Sequence, residues 1–107
     1  MWKEKLALYD ELVAKCPRFE RKGKTMPYTS ANGHMFSLLN KDGEVGFRYS
    51  KEVQDKYIQE WGTTTFKSYG ATMKGYVLIP KEMLEDLDKL SEYLNESYDY
   101  VMTLPPK

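Results

Sequence analysis

The residues of this sequence that could carry out chemistry are few and lie far apart. His34 is the only histidine and Cys16 the only cysteine, so neither has the partners for a zinc site built from Cys, His and carboxylate ligands. Cys16 lies at the end of a predicted helix, where the helix dipole disfavours a thiolate. We therefore interpret His34 as a partly exposed strand residue and Cys16 as a packing residue.

Phosphate-binding loops and carboxylate sites are equally hard to find. Residues 69–75, YGATMKG, match neither glycine-rich phosphate-binding pattern and lead into a predicted strand, not a helix. Glu92 and Glu96 lie on the predicted last helix, where we expect exposed side chains and no cleft to raise a pKa. An acidic helix beside a sheet resembles the frataxin arrangement, in which surface carboxylates on the first helix bind iron. Here the carboxylates lie on the predicted last helix instead, which argues against an iron site. We expect no catalytic residue, cofactor or metal, and keep an enzyme or metal-binding protein as the third interpretation.

Charged residues balance overall but are segregated along the chain. Sixteen Lys and Arg face sixteen Asp and Glu, so the chain as a whole has no electrostatic attraction to nucleic acid. The basic segment, defined as residues 15–24, has five cations: Lys15, Arg18, Arg21, Lys22 and Lys24. Residues 82–99 carry seven acids and one lysine. We interpret both runs as solvated surface. In the alternative interpretation, the chain is a nucleic-acid-associated regulator and these five cations contact the nucleic acid.

Four further residues form a candidate surface patch for a partner. They are Arg48, Tyr69, Met73 and Lys74. The chain has nine tyrosines, and aromatic rings can stack on single-stranded bases. Those at residues 9, 57, 93 and 98 fall on or beside predicted apolar helix faces, so we interpret them as core residues.

Hydrophobic periodicity and turn residues predict eight elements in the order αβββαββα. The predicted helices cover residues 2–15, 51–61 and 83–101, the last broken near 86–88, and the predicted strands cover 24–31, 34–40, 45–49, 63–66 and 75–79. Because the hairpins are short, this order implies an α+β domain with an antiparallel five-stranded sheet and helices on one face. We expect residues 1–107 to form a single domain.

The first hairpin is predicted to turn at Asn32 and Gly33, a pair that tolerates the positive φ of a type I′ turn. Strict alternation then places Met35, Ser37 and Leu39 on one face of the sheet, and residues 36, 38 and 40 on the other. We expect Gly33→Val to destabilise the fold and Asn32→Gly to be nearly neutral.

The sequence predicts a cytoplasmic protein. No run approaches the ~20 apolar residues of a membrane-spanning helix. The N-terminus, MWKEK, is charged and lacks the apolar stretch of a signal peptide. A single cysteine fits a reducing compartment. The two edges of the predicted sheet and the aromatic-rich surface leave a homodimer open.

Four segments have the order and spacing of a known family's motifs: NGHMFSLL at 32–39, VGFR at 45–48, FKSYG at 66–70 and MKGYVLIP at 73–80. Over residues 18–104 the chain resembles the TfoX/Sxy N-terminal domain family. The resemblance implies an α+β fold of the YjbR/CyaY-like superfamily and carries over no catalytic residue.

The sequence departs from that family at two points. MPYT at residues 26–29 stands where the family usually has Met-Phe-Gly-Gly, and the sequence ends at Lys107 without the second domain of the competence regulator. We therefore do not expect a competence role to carry over. Our first hypothesis is a small cytoplasmic, non-catalytic binding or regulatory module, for which a protein partner is favoured over nucleic acid.

Overall fold

The computed structural model describes residues 2–68 and 70–107, which form three α-helices, five strands and one short 3₁₀ helix. In chain order they are α1 (Trp2–Ala14), β1 (Tyr28–Ala31), β2 (His34–Leu39), β3 (Val45–Arg48), α2 (Lys51–Trp61), β4 (Thr65–Ser68), β5 (Ala71–Leu78), the 3₁₀ helix (Lys81–Glu85) and α3 (Leu87–Met102). The strands pair antiparallel in the order β1-β2-β3-β5-β4. The predicted α+β class and element order are confirmed.

Capping residues fix the ends of α2 and the start of α3. The Ser50 side chain accepts the backbone N–H of Val53 at 3.3 Å, and Gly62 adopts the left-handed conformation that ends α2. The predicted break in the last helix is also present. Asp86 separates the 3₁₀ helix from α3 and caps α3 by accepting the N–H of Lys89 at 3.2 Å.

The boundaries of three predicted strands are wrong. Strand β4 covers Thr65–Ser68, whereas the sequence predicts residues 63–66. Strand β5 is longer than predicted and begins at Ala71. Residues that the sequence predicts as a connection belong to β5 instead, because Ser68 pairs with Ala71 and β4 and β5 form a hairpin. Strand β1 is shorter and begins at Tyr28. Lys22 exchanges two backbone hydrogen bonds with Tyr28, of 2.8 and 2.9 Å, so the chain folds back there and covers part of the outer edge of β1.

The first hairpin turns where the sequence predicts, with φ of 57° at Asn32 and 80° at Gly33. The predicted alternation along β2 is wrong, however. Thr29 pairs with Ser37 and Ser30 pairs with Met35, so the residue between them, Phe36, is an extra residue in a β-bulge. Phe36 and Ser37 both face the helices as a result.

The helices pack on one face of the sheet over a continuous core. Its largest fully buried side chains include Tyr9, Phe36, Phe47 and Tyr49. Burying aromatic residues of this size stabilises a fold by about 2–3 kcal/mol each in transfer free energy. Tyr49 also donates its hydroxyl to the Tyr93 carbonyl at 2.7 Å, which ties β3 to α3.

The opposite face of the sheet carries a second, smaller cluster of Leu38, Phe66 and Tyr76. These three side chains are at most 4% exposed, and the Phe66 ring of β4 lies against Gly46 of β3 on this face. The Asn40 side chain holds β4 there by donating to the Lys67 carbonyl at 2.8 Å. No helix in the described part of the chain is long and apolar enough to cross a membrane.

Candidate functional site: a basic cleft

A cleft of about 290 Å³ lies where β3 ends, α2 begins and β5 passes beside them. Its lining residues are Arg48, Tyr49, Lys51, Gln54, Lys74, Gly75 and Tyr100. Three of these seven are cations and none is a carboxylate, although Asp and Glu make up as much of the chain as Lys and Arg. We call this site the basic cleft.

Backbone pairing and helix capping bring the basic side chains together. Arg48 is the last residue of β3 and pairs with Tyr76 of β5, so it lies close to Lys74 although the two are far apart in sequence. Ser50, two residues after Arg48, caps α2, so Lys51 lies in the first turn of that helix. Ser97 of α3 donates its hydroxyl to the Arg48 carbonyl at 2.5 Å, which fixes the end of β3.

Arg48 differs from the other two arginines of the chain. Arg18 and Arg21 each form an ion pair, with Asp99 at 2.8 Å and with Asp10 at 2.7 Å. Arg48 has no carboxylate partner and no side-chain hydrogen bond among residues 2–68 and 70–107. Its five N–H donors are therefore available to a ligand.

Two tyrosines lie near Arg48. The central carbon of its guanidinium lies 5.9 Å from the centre of the Tyr100 ring, within the range of a weak cation–π contact. Tyr76 is the residue of β5 that pairs with Arg48, and its hydroxyl donates to the Met35 carbonyl at 2.9 Å. Burial raises the pKa of Tyr76 above its ordinary value, and the charge of Arg48 opposes part of that rise. Tyr76 therefore stays neutral beside the cleft.

The two lysines differ in how much of their charge is available. Lys51 lies 3.2 Å from Asp55, one turn along α2, and both side chains are largely exposed. Such an exposed pair is weak and can open when a ligand binds. Lys74 has no carboxylate partner in the described residues. The cleft thus contains two unpaired cations and a third that is shared with a carboxylate.

The predicted surface patch is brought together only in part. Arg48 and Lys74 share the basic cleft. Met73 packs instead at the rim of the second cluster, on the face away from the helices. Neighbouring residues of a strand point to opposite faces, which separates Met73 from Lys74. Tyr69 lies outside the described residues.

Ion pairs with other parts of the chain compensate most of the basic segment. Lys15 lies 2.8 Å from Asp88, and Arg18 lies 2.8 Å from Asp99, so two of its cations bind α3. Arg21 contacts both carboxylate oxygens of Asp10 on α1, at 2.7 and 3.2 Å. Lys22 and Lys24 have no carboxylate partner in the part of the chain that the structure describes. Three of the five candidate nucleic-acid contacts are therefore neutralised locally.

Cys16 and His34 are both buried. Cys16 is 1% exposed and accepts a hydrogen bond from the Asn95 amide at 3.6 Å; burial raises the pKa of its thiol. The expectation that His34 is partly exposed is wrong, because the residue is only 8% exposed. Its Nε2 lies 2.8 Å from the Pro105 carbonyl, in the segment after α3 that covers the hairpin turn. Its Nδ1 is buried without a partner in the structure.

Sequence reasoning missed several residues of the cleft: Tyr49, Lys51, Gln54, Gly75 and Tyr100. Lys51 could have been found, since it follows the predicted N-cap Ser50 and comes three residues after Arg48. Tyr100 could not, because its position depends on the path of α3 across the sheet. Among the described residues, no three His, Cys, Asp or Glu side chains converge as a metal site would need.

The comparisons with known proteins leave the family open. No family model matches the chain, and no curated protein matches it significantly. The resemblance to the TfoX/Sxy N-terminal domain family therefore stays a prediction, and the function has to be argued from the cleft.

Proposed function

We propose that this chain is a small, non-catalytic binding domain that recognises an anionic group of a protein partner at the basic cleft. The observation that carries the proposal is Arg48, the one arginine without a carboxylate partner in the described residues, placed beside Lys74 and Lys51. As part of the same proposal, the domain is cytoplasmic and belongs with the TfoX/Sxy-like modules that it resembles.

The cleft offers an anion several favourable interactions at once. A guanidinium binds a carboxylate or a phosphate through two parallel N–H donors, which gives both energy and orientation. Lys74 adds a second charge from β5. The start of α2 adds the positive end of a helix dipole, whose contribution is about 0.3–1 kcal/mol at an exposed site.

A protein partner is favoured over nucleic acid for two reasons. The formal net charge of the chain is zero, whereas binding to a phosphate backbone gains from a field of many cations. In addition, Lys15, Arg18 and Arg21 are already bound to carboxylates. A partner with one or two acidic groups needs only the local charge of the cleft.

An NMR titration with an oligoglutamate peptide at low salt tests the proposal. We expect shifts in the backbone signals of residues around Arg48 and Lys74, and weaker binding as salt screens the charges. The double variant Arg48→Gln/Lys74→Gln should lose binding. The matched control Lys22→Gln/Lys24→Gln removes two cations outside the cleft and should bind as the parent does.

The opposite pattern would overturn the proposal. If the Lys22→Gln/Lys24→Gln variant loses binding and the cleft variant keeps it, the basic segment is the binding surface. A short DNA duplex titrated in parallel then tests the nucleic-acid alternative. Binding of DNA that depends on the basic segment, with no peptide binding at the cleft, would favour that alternative.

A further inference from the structure

We propose that the anionic group recognised at the basic cleft is a phosphorylated side chain of the partner, that is, a dianionic phosphomonoester. This inference rests on the proposed function and names its ligand. Three properties of the cleft support it: its charge, the arrangement of its donors, and its size.

The charge of the cleft matches a dianion better than a carboxylate. Arg48 and Lys74 have no carboxylate partner in the described residues, while Lys51 shares its charge with Asp55 at 3.2 Å. About two positive charges are therefore available. A phosphomonoester carries about 1.5–2 negative charges at neutral pH. A single carboxylate would leave one of the two cations uncompensated.

The donors come from three elements, which suits a tetrahedral group with three acceptor oxygens. Arg48 lies at the end of β3, Lys74 on β5 and Lys51 at the start of α2. The Ser50 cap satisfies the N–H of Val53, and the first N–H groups of an α-helix have no acceptor within the helix. A planar carboxylate has two oxygens and can engage fewer of these donors.

The size of the cleft favours a single side-chain head group. Its volume of about 290 Å³ is at the lower limit for sites that enclose a drug-sized molecule. A nucleotide would project its base and sugar beyond the lining residues. A phosphorylated side chain can place only its head group in the cleft, while the partner's backbone stays outside.

Three short peptides of otherwise uncharged sequence test this inference, with phosphoserine, glutamate or serine at the central position. We expect the phosphoserine peptide to bind at least about tenfold more tightly than the glutamate peptide, and the serine peptide not to bind. Arg48→Lys keeps the charge but removes the planar fork, so it should weaken phosphopeptide binding. Lys24→Gln is the matched control and should leave it unchanged.

The protonation of the ligand gives a second readout. Between about pH 7.5 and pH 5 a phosphoserine loses most of its second negative charge, since its pKa is about 6. The residues that line the cleft include no histidine and no carboxylate. The phosphopeptide should therefore bind roughly tenfold more weakly at pH 5. Sulfate stays a dianion over this pH range. A sulfate titration is therefore the control that detects any contribution of the nearby carboxylates Glu52 and Asp55 to the pH dependence of binding.

Each outcome supports or overturns the inference separately from the proposed function. Equal binding of the glutamate and phosphoserine peptides, both lost in Arg48→Gln/Lys74→Gln, would overturn the phosphate inference and leave the anion-binding function intact. No binding of either peptide would overturn both. Inorganic phosphate that binds as tightly as the phosphopeptide would show that a free phosphate suffices, which would overturn the assignment to a phosphorylated protein.

Discussion

Replacing Asn32 with glycine should destabilise the fold, although the turn itself accepts either residue. Asn32 has φ of 57°, a conformation that glycine adopts at no steric cost. From turn geometry alone, Asn32→Gly is expected to be nearly neutral. The structure adds a tertiary role, because the Asn32 amide donates to the carbonyls of Val101 and Leu104 at 3.0 and 2.7 Å. These carbonyls lie at the end of α3.

The expected loss follows from these two hydrogen bonds. Each contributes about 0.5–1.5 kcal/mol net, so Asn32→Gly should lower the free energy of unfolding by about 1–3 kcal/mol. The Val101 carbonyl also accepts the N–H of Leu104 at 3.2 Å, so it keeps a hydrogen-bond partner in the Asn32→Gly variant. Most of the destabilisation should therefore come from the Leu104 carbonyl, which loses its hydrogen bond from Asn32. For a domain of this size each kcal/mol lowers Tm by about 4–8 °C.

Urea denaturation of Asn32→Gly and a matched control measures the effect. The control is Asp42→Gly, which also introduces a glycine just before a turn glycine. Its backbone N–H, the group that bonds the Asn40 side chain at 3.0 Å, is retained. We expect the control to lose no more than about 1 kcal/mol, the cost of added backbone freedom. Equal loss in both variants would refute a role for the Asn32 side chain in holding the end of α3.

Three further predictions concern the fold. Gly33→Val should cost on the order of 1–3 kcal/mol in a denaturant titration, since φ of 80° strains a β-branched residue; an unchanged midpoint would contradict the type I′ geometry. Gly46→Ala should cost about 1–3 kcal/mol, because the new methyl would overlap the Phe66 ring. Adding Phe66→Leu should recover part of that loss, whereas simply additive losses would refute the overlap. Burial raises the pKa of Tyr9 and of Tyr49 above the ordinary value of 10. Above pH 10 the unfolded chain therefore releases protons that the folded chain keeps, so stability should fall by about 1.4 kcal/mol per pH unit for each such group. Tyrosinate absorbance should rise cooperatively with unfolding, and gradual ionisation of every tyrosine in the folded state would contradict this.

The order of elements was predictable because it depends on local signals. Asn32 and Gly33 favour one turn geometry, Ser50 caps a helix, and Pro80 ends a strand. Each of these acts within a few residues. The sequence therefore predicts the order of the elements far better than which side of the sheet each residue faces.

The bulge in β2 shows why the sequence could not predict on which face of the sheet each side chain lies. Period-two alternation assumes a regular strand, but Phe36 and Ser37 both face the helices. The reason is tertiary. Ser37 meets the Tyr9 hydroxyl of α1 at 2.6 Å, and the Ser97 hydroxyl oxygen of α3 lies 3.0 Å from the Phe36 carbonyl oxygen. A pattern within one strand contains no information about these partners.

The charge pattern has a similar explanation, and it bears on the proposed function. Taken separately, the basic segment and the acids of residues 82–99 are each typical of solvated surface. In the structure they partly bind one another, through Lys15 with Asp88 and Arg18 with Asp99. Exposed pairs of this kind add little stability, but they remove local charge from that side of the molecule. In a chain of zero net charge, the cations that have no carboxylate partner among the described residues decide where an anion is attracted. Arg48 and Lys74 are two of them, and they converge in one cleft.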